Sequence, residues 1–212
     1  MSETAPYETA DTVDRYEAWF ENNIPAYKSE LLAVKELLPE NKTGIEIGVG
    51  TGRFSAPLGI KIGIDPSKEM GSRARKKGIH VIRGVAESLP LRNSSIDFLL
   101  MVTVICFLKD IKRSFMEGFR VLKPGGYFIT GFVDRNSIIG RSYSGKKDKS
   151  TFYSAAEFYS PDEVRRLLAK TGFGNFSFVQ TLFGKPDEIK KPQKFKKGYG
   201  EGSFVVLRGI KQ

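Results

Sequence analysis

Glu46 lies at the end of the apolar run Gly44 to Ile47, directly before Gly48, Gly50 and Gly52, three glycines at alternate positions. A strand running into a glycine-rich turn lets backbone N–H groups approach a ligand closely, because glycine has no Cβ and tolerates positive φ. A dinucleotide fingerprint requires glycine at the first, third and sixth places, and Arg53 stands at the sixth. Glu46 also argues against a pyrophosphate, which a carboxylate repels at low dielectric, and suits a ligand that carries an ammonium group. Farther on, Ile60-Lys61-Ile62-Gly63-Ile64-Asp65 ends a second apolar run in a carboxylate, placed to take a ribose diol. The implied ligand is an amino acid joined to a nucleoside.

Five segments occur in order. They are Glu46-Ile47-Gly48-Val49-Gly50-Thr51-Gly52; Gly63-Ile64-Asp65-Pro66-Ser67 with Met70; Gly84-Val85-Ala86-Glu87-Ser88-Leu89-Pro90; Ser95-Ile96-Asp97-Phe98-Leu99-Leu100; and Arg120-Val121-Leu122-Lys123-Pro124-Gly125-Gly126. Together they resemble the class I S-adenosylmethionine-dependent methyltransferases, from about Lys42 to Gly174. The nearest subgroup is similar to the small-molecule enzymes of quinone biosynthesis and amine N-methylation. The resemblance implies an α/β fold with a Rossmann-like, mostly parallel seven-stranded sheet, helices on both faces and an antiparallel last strand. It implies one methyltransferase domain over residues 1–212: a helical cap (1–40), a cofactor-binding half (41–133), a substrate-side insertion (134–159), and a terminal helix with a strand pair (160–212). It also implies S-adenosyl-L-methionine as cofactor and a small-molecule methyl acceptor, methylated at an amine of histamine type or at O or C. An RNA methyltransferase and a non-catalytic cofactor-binding partner subunit are the alternatives.

Ligands of open α/β sheets lie beyond the carboxyl ends of the strands, so the useful residues are those just after each strand. Gly48, Gly50 and Gly52 are expected at the methionyl part of the cofactor, Glu46 at its ammonium and Arg53 at its carboxylate. Asp65 is expected at the ribose hydroxyls, Pro66 and Met70 against the adenine, and Ala86 and Glu87 near the amino edge of the adenine. Methyl transfer from a sulfonium is a one-step displacement that needs alignment and exclusion of water more than a reacting side chain. Asp134 and Tyr153 are the candidates to take a proton from the acceptor. The one histidine and one cysteine, His80 and Cys106, provide no zinc set of the usual kinds, and no metal is expected.

The elements that must position these residues are legible as period and punctuation. Residues 8–23 and 26–38 read as helices, the second closed by Pro39. Gly44–Ile47 reads as strand one, and only residues 53–59 remain for a short crossover helix before strand two. Residues 67–77 read as a helix closed by Gly78, and His80–Arg83 as strand three. Asp97 to Val104 is almost wholly apolar, as a central strand covered on both faces must be. A helix over 110–121 and a strand over 126–133 follow. Ser160-Pro161-Asp162-Glu163 spells a capping box for a helix running to Thr171, and Gly172 stops it. Residues 176–182 and 203–208 read as an antiparallel pair joined by a free, lysine-rich loop.

A chain of 212 residues, 40% hydrophobic, suffices for one substantial core. No apolar run approaches the roughly 20 residues of a membrane span. The first ten residues lack the pattern of a signal peptide, and the lone cysteine excludes an internal disulfide, so a cytoplasmic setting is expected. The net charge of +10 is uneven. Residues 1–23 carry Glu3, Glu8, Asp11, Asp14, Glu17 and Glu21 against Arg15 alone, whereas residues 134–150 and 183–202 are basic. The opposed charges predict an acidic N-terminal lid held partly by the 134–150 segment. The basic loops leave attraction to nucleic acid as an alternative partner, although they offer few aromatic side chains for stacking. Aromatic residues Tyr7, Tyr16, Trp19, Phe20 and Tyr27, and Tyr143, Phe152, Tyr153, Phe158 and Tyr159, are candidate walls for the acceptor.

Overall fold

The computed structural model describes residues 9–145 and 156–212, so Tyr7, Phe152 and Tyr153 lie outside the described residues. Two helices, α1 (Ala10–Asn22) and α2 (Ile24–Leu37), precede an alternation of strands and helices. These are β1 (Gly44–Ile47), α3 (Ser55–Leu58), β2 (Ile62–Asp65), α4 (Lys68–Lys76), β3 (His80–Arg83), β4 (Ile96–Val102), α5 (Ile111–Val121) and β5 (Leu122–Val133). Then come α6 (Ile138–Gly145), α7 (Pro161–Thr171), β6 (Phe173–Thr181), β7 (Lys196–Lys197) and β8 (Phe204–Lys211). All eight strands form one sheet in the order β3-β2-β1-β4-β5-β8-β6-β7. The first five are parallel, β8 runs antiparallel to β5 and β6, and β7 runs antiparallel to β6. The chain winds outward from β1 to β3, then returns to lay β4 on the other side of β1. That reversal puts the switch point, where α/β sheets bind ligands, beyond the ends of β1 and β4.

Strand β4 shows why the sheet is buried on both faces. Phe98, Leu100 and Val102 join Val34, Leu37 and Phe20 under α1 and α2, while Leu99 and Met101 join Phe115, Val164 and Leu168 under α5 and α7. Each large apolar side chain so buried contributes about 1.5–3 kcal/mol relative to exposure. Gly118 lets α5 come close to β5, since a Cβ there would stand 2.6 Å from the Phe128 ring. The helix starts follow their caps: Ser67 accepts from Met70 N at 3.2 Å, Asp110 from Arg113 N at 3.0 Å, and Ser160 and Glu163 close the capping box.

Strands β5 and β6 begin at Leu122 and Phe173, earlier than the sequence reading has them, β8 runs on to Lys211, and α6 was not read. Three further features depart from that reading. The sheet has eight strands instead of seven, because Lys196–Lys197 adds a two-residue edge too short and too charged to read as a strand. Strand β4 stops at Val102, two residues early, because Thr103 takes φ +54° and turns the chain out of the sheet. The lysine-rich loop is folded onto α2. Gln193 brackets Phe183, accepting its N–H at 2.8 Å and donating to its carbonyl at 3.3 Å, while the Gln193 N–H donates to Ser29 Oγ at 2.8 Å. Ile189 is buried beneath it.

Candidate functional site

The turn after β1 is organised by β2. Ile64 O accepts from both Gly48 N (2.7 Å) and Val49 N (3.1 Å), and Gly52 N closes on Val49 O (2.8 Å). Gly48, Gly50 and Gly52 all have positive φ, at 67°, 53° and 79°. Their surroundings differ. A Cβ at Gly48 would collide with Val104, and one at Gly52 with Ile79, so those two glycines are also required by packing. At Gly50 the nearest neighbour would be the Tyr16 hydroxyl of α1, at 3.4 Å. The turn is therefore open at Gly50, and α1 passes over the opening.

Asp65 ends β2, is buried, and uses both oxygens to hold this turn: Oδ2 accepts from Gly50 N and Oδ1 from Ser67 N, each at 2.8 Å. Burial raises its pKa, and the two backbone N–H groups oppose the rise. Glu46 is buried deeper, and its carboxyl accepts from Ser55 Oγ at the start of α3. Burial pushes Glu46 up to about 8 against the hydrogen bonds from Ser55, with the Asp65 charge adding to the rise. Met70 and Ala86 are buried, and Pro66 is exposed. Glu87 reaches the start of α5, where its carboxylate accepts from Lys109 N at 3.0 Å. The loop containing Ala86 and Glu87 is further held by α5, since Arg113 donates to Glu87 O (2.9 Å) and Glu117 accepts from Leu89 N (2.8 Å). Arg120 donates to Leu91 O (2.8 Å) and Leu89 O (3.0 Å).

Arg53 is engaged by α1. Its guanidinium forks onto Glu17, with Nε to Oε1 at 3.1 Å and Nη2 to Oε2, and the Thr51 hydroxyl donates to the same carboxylate. Tyr27 donates to Arg53 O, and Glu21 lies 3.5 Å from Nη2. Asp14 pairs with Arg73 of α4 at 2.7 Å, and Lys77 stands 3.8 Å from Glu17. The described part of the acidic segment, α1, lies across the turn. Among the described residues its cationic partners besides its own Arg15 are Arg53, Arg73 and Lys77, while residues 146–150 of the 134–150 segment to which the sequence reading looked lie outside the described residues. Beneath it Phe20 packs edge-to-face on Trp19 and Tyr27, with both centroid distances 5.0 Å.

The far side of the site is formed by the ends of β4 and β5. Asp134 is buried after β5; its Oδ1 accepts from Asn136 N at 2.9 Å, and burial raises its pKa. Residues 156–159 cross the 3-10 turn Ile105–Phe107, with Glu157 N donating to Cys106 O at 2.8 Å and Tyr143 facing Phe158 at 6.1 Å. Burial pushes the Cys106 thiol up to about 12, which leaves it protonated and a poor nucleophile. Asp97 is at the opposite end of the sheet, where it accepts from Thr43 N (3.1 Å) and Lys123 Nζ (2.9 Å) and ties strands together.

The chain as a whole is similar to known proteins. A methyltransferase-domain family model matches residues 45–130. An uncharacterized protein of Methanocaldococcus jannaschii is 46% identical over 198 residues, 93% of this chain and 96% of the relative. A solved S-adenosylmethionine-dependent methyltransferase of Thermotoga maritima, described as a "possible histamine N-methyltransferase", is 53% identical with a TM-score of 0.94, covering 95% of this chain and 97% of that one. The chain belongs to the S-adenosylmethionine-dependent methyltransferases. A demethylmenaquinone methyltransferase of Chlorobaculum tepidum is 29% identical over 178 residues, 71% of this chain and 74% of the relative. The methyltransferase's cofactor is thus S-adenosylmethionine, and the residues fit it. A turn open at one glycine, a buried carboxylate at the end of β2, and an arginine with a hydroxyl already clasping a carboxylate beside that glycine match the polar ends of such a molecule. No helix among the described residues is long and apolar enough to cross a membrane.

Sequence reasoning missed the partners of the site residues. Glu17, Thr51 and Ser55 hold Arg53 and Glu46, and the spacing of Asp14, Glu17 and Glu21 on one face of α1 was the available signal. Glu30 was missed as well. It is the one charged residue on the buried face of α2, which is otherwise made by Ala26, Ser29, Ala33, Val34 and Leu37, and burial pushes it up to about 8.

Proposed function

We propose that this methyltransferase acts on a small-molecule acceptor, with a primary or secondary amine of histamine type the first class to try. The observation that carries this reading is the roof: α1 lies over Gly50 through Tyr16 and is tied to α4 by Asp14 and Arg73. A cleft roofed by a packed helix admits a small acceptor far more readily than a nucleic-acid strand. The similarity to the Thermotoga protein adds support for an amine.

In this reading the backbone at Gly48, Gly50 and Gly52 lies along the methionyl part of the cofactor, with Glu46 toward its ammonium and Arg53 toward its carboxylate. Asp65 takes the ribose hydroxyls, while Pro66, Met70, Ala86 and Glu87 surround the adenine. The bound cofactor supplies a methyl group already activated on a sulfonium. The protein's part is to align the acceptor and keep water out, and alignment alone supplies roughly 7–11 kcal/mol of barrier reduction in favourable cases. An ammonium acceptor must first lose its proton, and Asp134 or Tyr153 is the proposed proton acceptor. Burial raises the Asp134 pKa, which makes it a stronger base than an ordinary aspartate.

Incubating the protein with methyl-labelled cofactor and pools of amines, phenols, quinols and total RNA tests the reading directly. Label in a low-molecular-weight amine is expected. Label in RNA alone would replace this reading with an RNA methyltransferase, and cofactor binding with no label in any pool would favour a non-catalytic subunit.

A further inference from the structure

Glu17 sits where a ligand's carboxylate would be expected. Its carboxylate accepts two N–H donors of the Arg53 fork and the Thr51 hydroxyl, a three-donor cradle of the kind that recognises a free carboxylate. The cradle is built into the glycine-rich turn, with Thr51 and Arg53 immediately flanking Gly52. It is held from behind, because Tyr27 fixes the Arg53 carbonyl and the Arg53 guanidinium lies 5.3 Å from the Phe20 ring centre. Both Glu17 and Arg53 side chains are mostly buried, at 17% and 19% exposure. Glu17 is anionic there: burial works against the charge, but Arg53, Thr51 and Lys77 together hold its pKa below the ordinary value.

Resting on the proposed placement of the cofactor's amino-acid end at this turn, we infer that Thr51 and Arg53 form the site for the cofactor's α-carboxylate, and that Glu17 of α1 is its internal occupant, displaced when cofactor binds. The exchange swaps one carboxylate for another on the same donors, so the cradle is never left as an unpaired buried cation. It also links cofactor entry to α1. Glu17 is the only residue of the helix that reaches the turn by a fork of two hydrogen bonds, whereas Asp14 and Glu21 make exposed, single contacts worth little by themselves. Release of Glu17 leaves α1 held by its apolar face, through Val13 and Phe20, and by the exposed Asp14–Arg73 pair.

Two ligands separate this exchange from general effects on the pocket. S-adenosylhomocysteine carries the carboxylate, and 5′-methylthioadenosine shares the nucleoside but has no amino acid. Their affinities are measured by calorimetry at pH 7.5 for the wild type and for Glu17→Gln. Removal of the competing charge is expected to tighten S-adenosylhomocysteine by roughly tenfold, the scale of one charge-assisted hydrogen bond, and to leave 5′-methylthioadenosine unchanged. In Arg53→Met, S-adenosylhomocysteine is expected to bind more weakly, and adding Glu17→Gln to that variant should bring no gain. If Glu17→Gln does not fold, Glu17→Asp, which keeps the charge but is one methylene shorter, is read by the same ratio of affinities. An unchanged or lower ratio in the Glu17 variant overturns the exchange. Failure of the wild type to bind either ligand overturns the placement of the cofactor, and the exchange with it.

Discussion

Glu30 gives a direct test of the buried acidity behind the glycine-rich turn. It is 5% exposed on the inner face of α2, among Ala26, Ala33 and Val34. Burial raises its carboxyl from 4.5 to about 8. Between those two pH values the folded protein therefore keeps a proton that the unfolded chain has lost, and stability falls as pH rises through that window. At about 1.4 kcal/mol per pKa unit, the Glu30 carboxyl costs about 1 kcal/mol at pH 5 and roughly 5 kcal/mol at pH 9. Glutamine has nearly the same shape and does not titrate, so Glu30→Gln removes this dependence and leaves Glu46 and every other group in place. Urea unfolding of both proteins at pH 5 and pH 9 measures the difference. The variant should gain roughly 4 kcal/mol on the wild type over that interval. Parallel stability curves for the two proteins would show that Glu30 ionises freely and would refute the reasoning.

Asp65→Ala removes the acceptor for Gly50 N and Ser67 N as well as the proposed ribose contact, so calorimetry should show cofactor affinity reduced at least tenfold, from charge-assisted bonds worth about 1.5–3 kcal/mol each. Undiminished affinity would move the ribose elsewhere. Arg120→Ala releases Leu89 O and Leu91 O from α5, and should cost about 2–3 kcal/mol in denaturant unfolding and weaken the cofactor through the loop carrying Ala86 and Glu87. A stability loss with unchanged cofactor affinity would separate that loop from the site. Against total RNA, a salt titration should find only weak binding that is lost by physiological salt, because the basic 183–202 loop offers few aromatic side chains for stacking. Sub-micromolar binding that persists there would point to a nucleic-acid partner.

The first half of the fold was legible because each strand carries its own punctuation. Gly44–Ile47 and His80–Arg83 were bounded as they stand, since glycines or a helix end fix both limits. The short α3 followed from counting residues between two strands. What escaped the sequence depends on contacts between distant segments. Strand β7 exists only because β6 offers Val179 and Gln180 as partners, and the loop before it is ordered by Gln193 reaching Ser29, 164 residues away. The early end of β4 needs Thr103 in a conformation that a β-branched residue rarely takes, which no local preference foretells. At the site the alternation of glycines was readable, but the reasons for them were mixed. Gly48 and Gly52 also answer to Val104 and Ile79, which lie on other elements.

The acids around the turn also account for why an otherwise dinucleotide-like strand and turn should prefer a cationic ligand. Glu46 and Asp65 are both buried, and burial raises both, so the site resists accumulating negative charge. A pyrophosphate would sit beside two carboxyls whose ionisation burial already disfavours, and would disfavour it further, so it gains no attraction from them. An ammonium or sulfonium does the opposite, because it favours the ionised carboxyl and returns part of the desolvation cost as attraction. In the proposed placement, the same burial that makes Glu46 a poor neighbour for phosphate makes it a good one for the cofactor's ammonium. Ser55 keeps that carboxyl oriented while it changes state, by a hydrogen bond from the first residue of α3. On that placement, selectivity between the two nucleoside cofactors comes from where the charge is buried, on a backbone that serves either.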